Sequence, residues 1–252
     1  MDRRQPAGAV PRSAVGTPRV SLRAEQRDLT RNRILDGAVE VFAGKSFVGA
    51  TMEDIARASG VTRATVYAHF RGKAEVIAAL TDRVYQVTDG LYAELAAAPE
   101  WTRAGVRAWL ERAAAGWRAL SPTIRVLLAA TPSAAGDDGS ARDRYLAAHQ
   151  RYVTLLTAEP RRWRGVPAAQ ARQRALMAVL QTGSFLTAWI AGGLPVETDD
   201  PLELLTDDLC HLLGPALAPR AATPSHTARP ADSADSADSA DSARPRLPRG
   251  PS

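Results

Sequence analysis

Apolar positions recur every three or four residues along most of the chain, the spacing that lines one face of a helix, and no stretch carries the period of two expected of a strand. A first amphipathic segment covers Thr30 to Ala43. A second helix begins near Met52, because Thr51 and Asp54 form the Ser/Thr-x-x-acid pattern that satisfies free backbone donors at a helix start. Ile55 and Ala58 mark its apolar side, Ala56 is small enough for another helix to cross closely, and Gly60 ends it. Val61 fills the corner, Thr62 caps a third helix from Arg63 to Phe70, and Val66 and Phe70, four apart, face the core. A long helix follows from Lys73 to about Ala97, with Val76, Leu80, Val84, Val87 and Leu91 along it. Beyond Pro99 the pattern predicts helices over Trp101 to Leu120, Pro122 to Ala130, Ala141 to Ala158, Pro167 to Ala191 and Pro201 to Leu217. Thr131 to Ser140 reads as a loop by composition. The expected fold class is all-α, with an N-terminal three-helix unit that contains a helix-turn-helix.

The burial of Val66 and Phe70 leaves Arg63, Thr65, Tyr67 and His69 pointing elsewhere, and these are donors suited to base edges and phosphates. Lys73 opens the next helix, where its ammonium adds to the positive end of the helix dipole and favours a phosphate. An ordinary αα-hairpin shares the small-x-x-x-Gly pattern of the turn. The amphipathic helix before it and Arg71-Gly72-Lys73 after it favour a DNA-reading unit.

The run from Arg33 to Leu80 resembles the DNA-binding domain of TetR-type transcriptional regulators. The resemblance rests on Ala38 and Phe42, Phe47 and Thr51, Ile55-Ala56, Gly60-Val61, Tyr67-x-His69-Phe70, and Lys73. It implies that Thr51, Tyr67, His69 and Lys73 grip phosphates while Thr62, Arg63 and Thr65 lie nearest the bases. Gly44-Lys45-Ser46 departs from the family, which more often places a residue pair ending in Gly before the aromatic. The resemblance further implies a C-terminal helical domain that binds a ligand and dimerises. Its last two helices, which here carry Trp189 to Leu194, would pair with those of a second subunit.

Charge sharpens the picture. Of a net +5 over 252 residues, residues 1 to 33 hold eight arginines against Asp2, Glu25 and Asp28, so the excess lies beside the reading unit. The stretch 1–26, with Pro6, Pro11 and Pro18 and no apolar periodicity, reads as a disordered basic arm that either follows phosphates or is an inert leader, and it lacks the apolar core of a signal peptide. At the other end, ADS repeats four times between Ala231 and Ser242, a composition that cannot bury a core. The expected organisation is an arm at 1–26, a DNA-binding domain at 27–75, an effector-binding and dimerisation domain at 76–217, and a disordered tail at 218–252.

Cys210 is the single cysteine, which excludes an intramolecular disulfide or a thiol-zinc cluster within one chain, so no metal or cofactor is expected. No apolar run reaches the roughly 20 residues that span a bilayer, and a cytoplasmic protein is expected. The middle helices offer Trp109, Trp117, Tyr145, His149, Tyr152 and Phe185 as the lining of an effector pocket, although core packing is the better explanation of each taken singly. The expected function is a sequence-specific transcriptional repressor, a homodimer on a palindromic double-stranded DNA operator, released by a small-molecule effector. The alternative is an all-helical enzyme or protein-interaction module with an incidental helix-turn-helix. Against an enzyme, His69, His149, His211 and His226 are scattered, and no HExxH, phosphate loop or Gly-x-Ser-x-Gly is present.

Overall fold

A computed structural model describes residues 22–134 and 139–214, without the side chains of 131–134. The described residues form eight α-helices and no strand: α1 Leu22–Gly49, α2 Met52–Ser59, α3 Arg63–His69, α4 Lys73–Ala97, α5 Arg103–Ala134, α6 Ser140–Thr157, α7 Ala168–Leu186 and α8 Glu203–Leu213. The arm before Leu22 and the tail with its ADS repeats lie outside the described residues, whereas residues 22–26, expected in the arm, begin α1.

The α2–α3 unit forms as its local sequence dictates. Thr51 Oγ1 accepts the Asp54 backbone N–H at 3.1 Å, and the Asp54 carboxylate accepts the Thr51 N–H at 3.1 Å, a reciprocal cap. At the other end of α2, Gly60 adopts φ 63° and ψ 32°. Its N–H bonds to Arg57 O and the Val61 N–H to Ala56 O, so the free carbonyls of the last turn are satisfied. The buried side of α2 is Met52, Ile55, Ala56 and Ser59, one step from the expected stripe, and Ala58 is exposed. The close crossing falls at Gly37 of α1, where a Cβ would lie 2.8 Å from Ser59 N.

Two apolar cores result. Ile34, Leu35, Ile55, Val66, Phe70 and Leu80 are among the residues that close the N-terminal one. The larger holds Tyr92, Trp109, Leu110, Leu156, Leu186 and Leu209. Both α4 and α5 run through the two: Val76 and Leu80 of α4 lie in the first and Tyr92 and Leu95 in the second, while Val126 of α5 returns to the first.

Pro122 does not open a new helix, since α5 passes through it without a break. A proline inside a helix removes one backbone donor. Pro122 is exposed, and so is Arg118, whose carbonyl loses that donor to open solvent. Leu120, Ser121, Thr123 and Ile124 around it are buried, so packing holds the helix across the proline. Nor is the loop from Thr131 complete, because α5 continues to Ala134. A 3-10 turn at Pro160–Trp163, not foreseen from the pattern, buries Trp163, whose indole N–H donates to Leu156 O at 3.0 Å. After α7 the backbone widens into a π turn, Thr187–Ala191. Arg107 bonds to Asp200 at 2.6 Å and Arg103 to Asp207 at 2.8 Å, so arginines of α5 hold the α8 segment.

Candidate nucleic-acid interface and helical cavity

Helix α3 buries Val66 completely, and Phe70 just past its end is 1% exposed, which turns the opposite side outward. Thr62, Arg63 and Tyr67 are exposed there and Thr65 is half-buried. The Arg63 guanidinium lies 5.5 Å from the Tyr67 ring centroid, a stack that holds a long cation on a rigid aromatic. Thr62 caps the helix by accepting the Thr65 N–H at 3.1 Å, and the two hydroxyls lie 2.8 Å apart. His69 sits at the end of α3, where burial pushes its imidazole below the ordinary value, with Arg27 and Arg31 adding to the push.

Two residues expected at phosphates are committed elsewhere. The Thr51 hydroxyl donates to Asp54 at 2.8 Å while accepting from its N–H. Lys73 Nζ donates to the carbonyls of Phe47 at 2.7 Å, Val48 at 3.1 Å and Ala50 at 2.7 Å, and lies over the Phe47 ring. An ammonium has three donors, and all three are taken. Lys73 thus fastens the start of α4 to the α1–α2 turn. Beside it, Lys45 binds Asp54 at 2.6 Å, and with Thr51 it draws the Asp54 carboxyl down from 3.8 to about 2.

Sequence reasoning missed the basic side of α1. Arg23, Arg27 and Arg31 follow at intervals of four, one row along a helix, and Arg27 and Arg31 act electrostatically on His69. Their spacing was readable, but Arg23 was expected in the unstructured arm, and Arg27 lay before the expected start of the first helix at Thr30.

A cavity of about 740 Å³ lies among α4, α5, α6 and the π turn, walled by Ile77, Val84, Trp117, Ile124, Leu128 and Thr187 among others. A second lobe of about 480 Å³ shares Val84, Tyr85, Trp117, Leu128, Tyr145 and Thr187 with it. Of the six residues expected to line a pocket, Trp117, Tyr145, His149 and Tyr152 do. Trp109 instead packs in the core against Tyr92 at 5.5 Å, its N–H bonded to Leu91 O, and Phe185 packs on Trp189 at 5.8 Å, so neither borders this space. Tyr85, Thr88 and Tyr92, one row on α4, were missed. Within the second lobe Tyr152 and Thr88 hydroxyls lie 2.6 Å apart, and His149 Nδ1 lies 2.8 Å from Tyr145 O. Trp117 donates to Thr187 Oγ1 at 3.1 Å.

Among the described residues no cluster of His, Cys, Asp and Glu has the makings of a metal site, and no helix is long and apolar enough to cross a membrane.

Residues 34–80 match the family model described as bacterial regulatory proteins, tetR family. The HTH-type transcriptional regulator SrpR of Pseudomonas putida is 49% identical over 57 residues, 23% of this chain and 27% of that protein. The uncharacterized HTH-type transcriptional regulator TtgW, also of Pseudomonas putida, is 53% identical over 51 residues, 20% of this chain and 38% of that protein. Each match therefore spans well under half of the relative's length. The likeness of fold extends much further. The structure of SmeT in complex with triclosan superposes with a TM-score of 0.57 at 23% identity, covering 76% of this chain and 97% of that chain. The fatty acid degradation regulator FadR from Bacillus halodurans gives 0.53 at 18%, covering 73% and 95%. The N-terminal helix-turn-helix domain followed by a helical C-terminal domain is the fold of those proteins too, and residues 34–80 are what this chain shares in sequence with the tetR family of bacterial regulatory proteins.

Proposed function

We propose that the chain is a sequence-specific DNA-binding transcriptional regulator, a homodimeric repressor that a small-molecule effector releases from a palindromic operator. The observation that carries this reading is the outward side of α3, where Arg63 lies stacked on Tyr67 beside Thr62 and Thr65 while Val66 and Phe70 anchor the helix from behind. Arg63 reads bases, and Thr62, Thr65 and Tyr67 support it at bases and phosphates. Arg27 and Arg31 add backbone contacts near His69. Thr51 and Lys73 position the unit through internal bonds. The DNA-binding unit extends to Leu80, where the first core closes.

The dimer reading is supported by a row of apolar side chains left open on α7, where Leu176, Met177 and Leu180 are 40%, 50% and 37% exposed, and by Leu204 on α8 at 78%. Such a patch on helices otherwise buried is what a twofold copy covers. The effector reading is supported by the two-lobed cavity, whose size falls within the range of small-molecule sites, and by the ligand in the SmeT structure, triclosan, on a shared fold.

The test is selection from randomised duplex DNA by the purified protein, followed by sequencing of what it retains. Enrichment of a palindrome is the expected result. A folded dimer that enriches no sequence at low salt overturns the reading.

A further inference from the structure

The cavity wall carries one polar atom out of keeping with the rest. Arg144, on α6, lines the larger lobe, and its Nε is buried with no hydrogen-bond partner among the described residues. The other arginine with a buried unpaired Nε, Arg162, lies away from this space and has its guanidinium bonded to Ala98 O and stacked on Trp101. Among the described residues Arg144 forms no ion pair, whereas Arg151, two turns further along α6, holds Asp89 at 3.0 Å. A buried guanidinium N–H without an acceptor is costly, and a carboxylate is the group that suits it best, through short charge-assisted bonds.

Among the described residues, the remaining charges of the wall do not supply that acceptor. Glu75 is the acidic lining residue, and its carboxylate accepts the Arg71 backbone N–H at 2.6 Å at the start of α4. Arg142 is exposed and adds positive charge. Burial, then Tyr145, raises the Tyr85 hydroxyl above its ordinary value, and Arg144 opposes that rise. The apolar part of the wall includes Ile77, Val84, Trp117, Ile124 and Leu128, and Thr81, Ser140 and Thr187 add uncharged polar groups.

We propose that the cavity takes an amphipathic acid, a molecule with an apolar body and one carboxylate, whose carboxylate is held by Arg144 while the body lies on Trp117, Ile124 and Leu128. The inference rests on the reading of this cavity as the effector site and specifies the chemical class of the effector. Tyr85 and Tyr145 line the same lobe as Arg144.

The test uses the full chain and matched probe pairs that differ only in charge: naphthoate against naphthamide and decanoate against decanamide, titrated by calorimetry. The acid of at least one pair binds roughly tenfold to a hundredfold more tightly than its amide, the worth of one hydrogen bond to a charged group. Arg144→Gln abolishes that preference and leaves amide binding unchanged, while Arg142→Gln retains it; circular dichroism confirms that both variants fold. Equal binding of acid and amide overturns the inference and leaves the effector cavity standing. Preference lost in Arg142→Gln but kept in Arg144→Gln overturns the assignment to Arg144. If none of the four probes binds the folded protein, the effector reading of the cavity fails and the inference with it.

Discussion

Ser46 holds φ 62° and ψ 166°, a region that glycine occupies freely and other residues only under strain of about 1–3 kcal/mol. It is the non-glycine residue with positive φ among the described residues, and it lies in the Gly44-Lys45-Ser46 segment that departs from the family pattern. The turn keeps a glycine-type shape although the glycine stands two positions earlier. Ser46→Gly should therefore raise the thermal midpoint, since it relieves strain at the cost of one bond from Gly49 N to Ser46 Oγ at 3.5 Å; a lower midpoint refutes the strain. Lys73 serves the same turn. Lys73→Met keeps the stem on the Phe47 ring but leaves three carbonyls without their donor, and should cost about 1–3 kcal/mol of stability. Because its ammonium is already committed, the slope of DNA affinity against salt should stay as in the parent; a slope lower by about one would return Lys73 to the phosphates. Asp54 makes the turn sensitive to acid. Its carboxyl titrates near 2 when folded against 3.8 ordinarily, so what the carboxylate contributes is complete above the higher value and disappears as pH falls toward the lower. Unfolding melts between pH 5 and 2 should show this loss in the parent and a flatter profile in Asp54→Asn.

Helix α1 meets α2 where Gly37 faces Ser59, and the crossing tolerates no side chain: a Cβ on Gly37 falls 2.8 Å from a backbone nitrogen that cannot swing aside. Gly37→Ala should destabilise the N-terminal unit by about 1–3 kcal/mol despite alanine's better helix propensity. Denaturant titration decides it, and a variant as stable as the parent would mean that the helices part without cost. The sequence did not reveal this approach, because a glycine inside a helix looks like a local weakness until the partner helix is in place, whereas Ala56, expected small for a helix crossing, is buried in the same core. The ends of α2 and the start of α3 were legible, since Thr51, Asp54, Gly60 and Thr62 act on backbone within four residues of themselves. Pro122 misled for the converse reason. Its local preference to start a helix is overridden by buried neighbours on both sides that only the folded domain supplies. The cavity was legible in part: aromatic residues on α5 and α6 were found, whereas Tyr85 and Tyr92 were hidden because Val84 and Leu91 beside them suggested an apolar row one residue out of step. Helix α5 also borders both spaces, because Ile124 lines the cavity and Val126 lies in the N-terminal core.

At the scale of the whole molecule the charge excess foreseen near the N-terminus acquires a place, since Arg23, Arg27 and Arg31 form a row on α1 rather than belonging wholly to an arm. Arg27 and Arg31 lie near the end of α3, so the double variant Arg27→Gln, Arg31→Gln should lower the salt slope by about two if each neutralises one phosphate. Two reading helices must also be held one turn of DNA apart, which a single copy of this chain does not provide. The open apolar row of Leu176, Met177 and Leu180 on α7 is the surface available for a twofold partner. A charge placed there is buried against its own symmetry mate, so each interface receives it twice and gains no compensating partner. Leu180→Glu should therefore convert a dimer into a monomer by light scattering, with the fold retained because Leu180 is already 37% exposed in the single chain. The monomer should bind a palindromic duplex and a half-site with the same weak affinity, whereas the parent prefers the palindrome strongly. A Leu180→Glu protein that remains dimeric would move the interface elsewhere. One that is monomeric yet still prefers the palindrome would break the link between assembly and recognition.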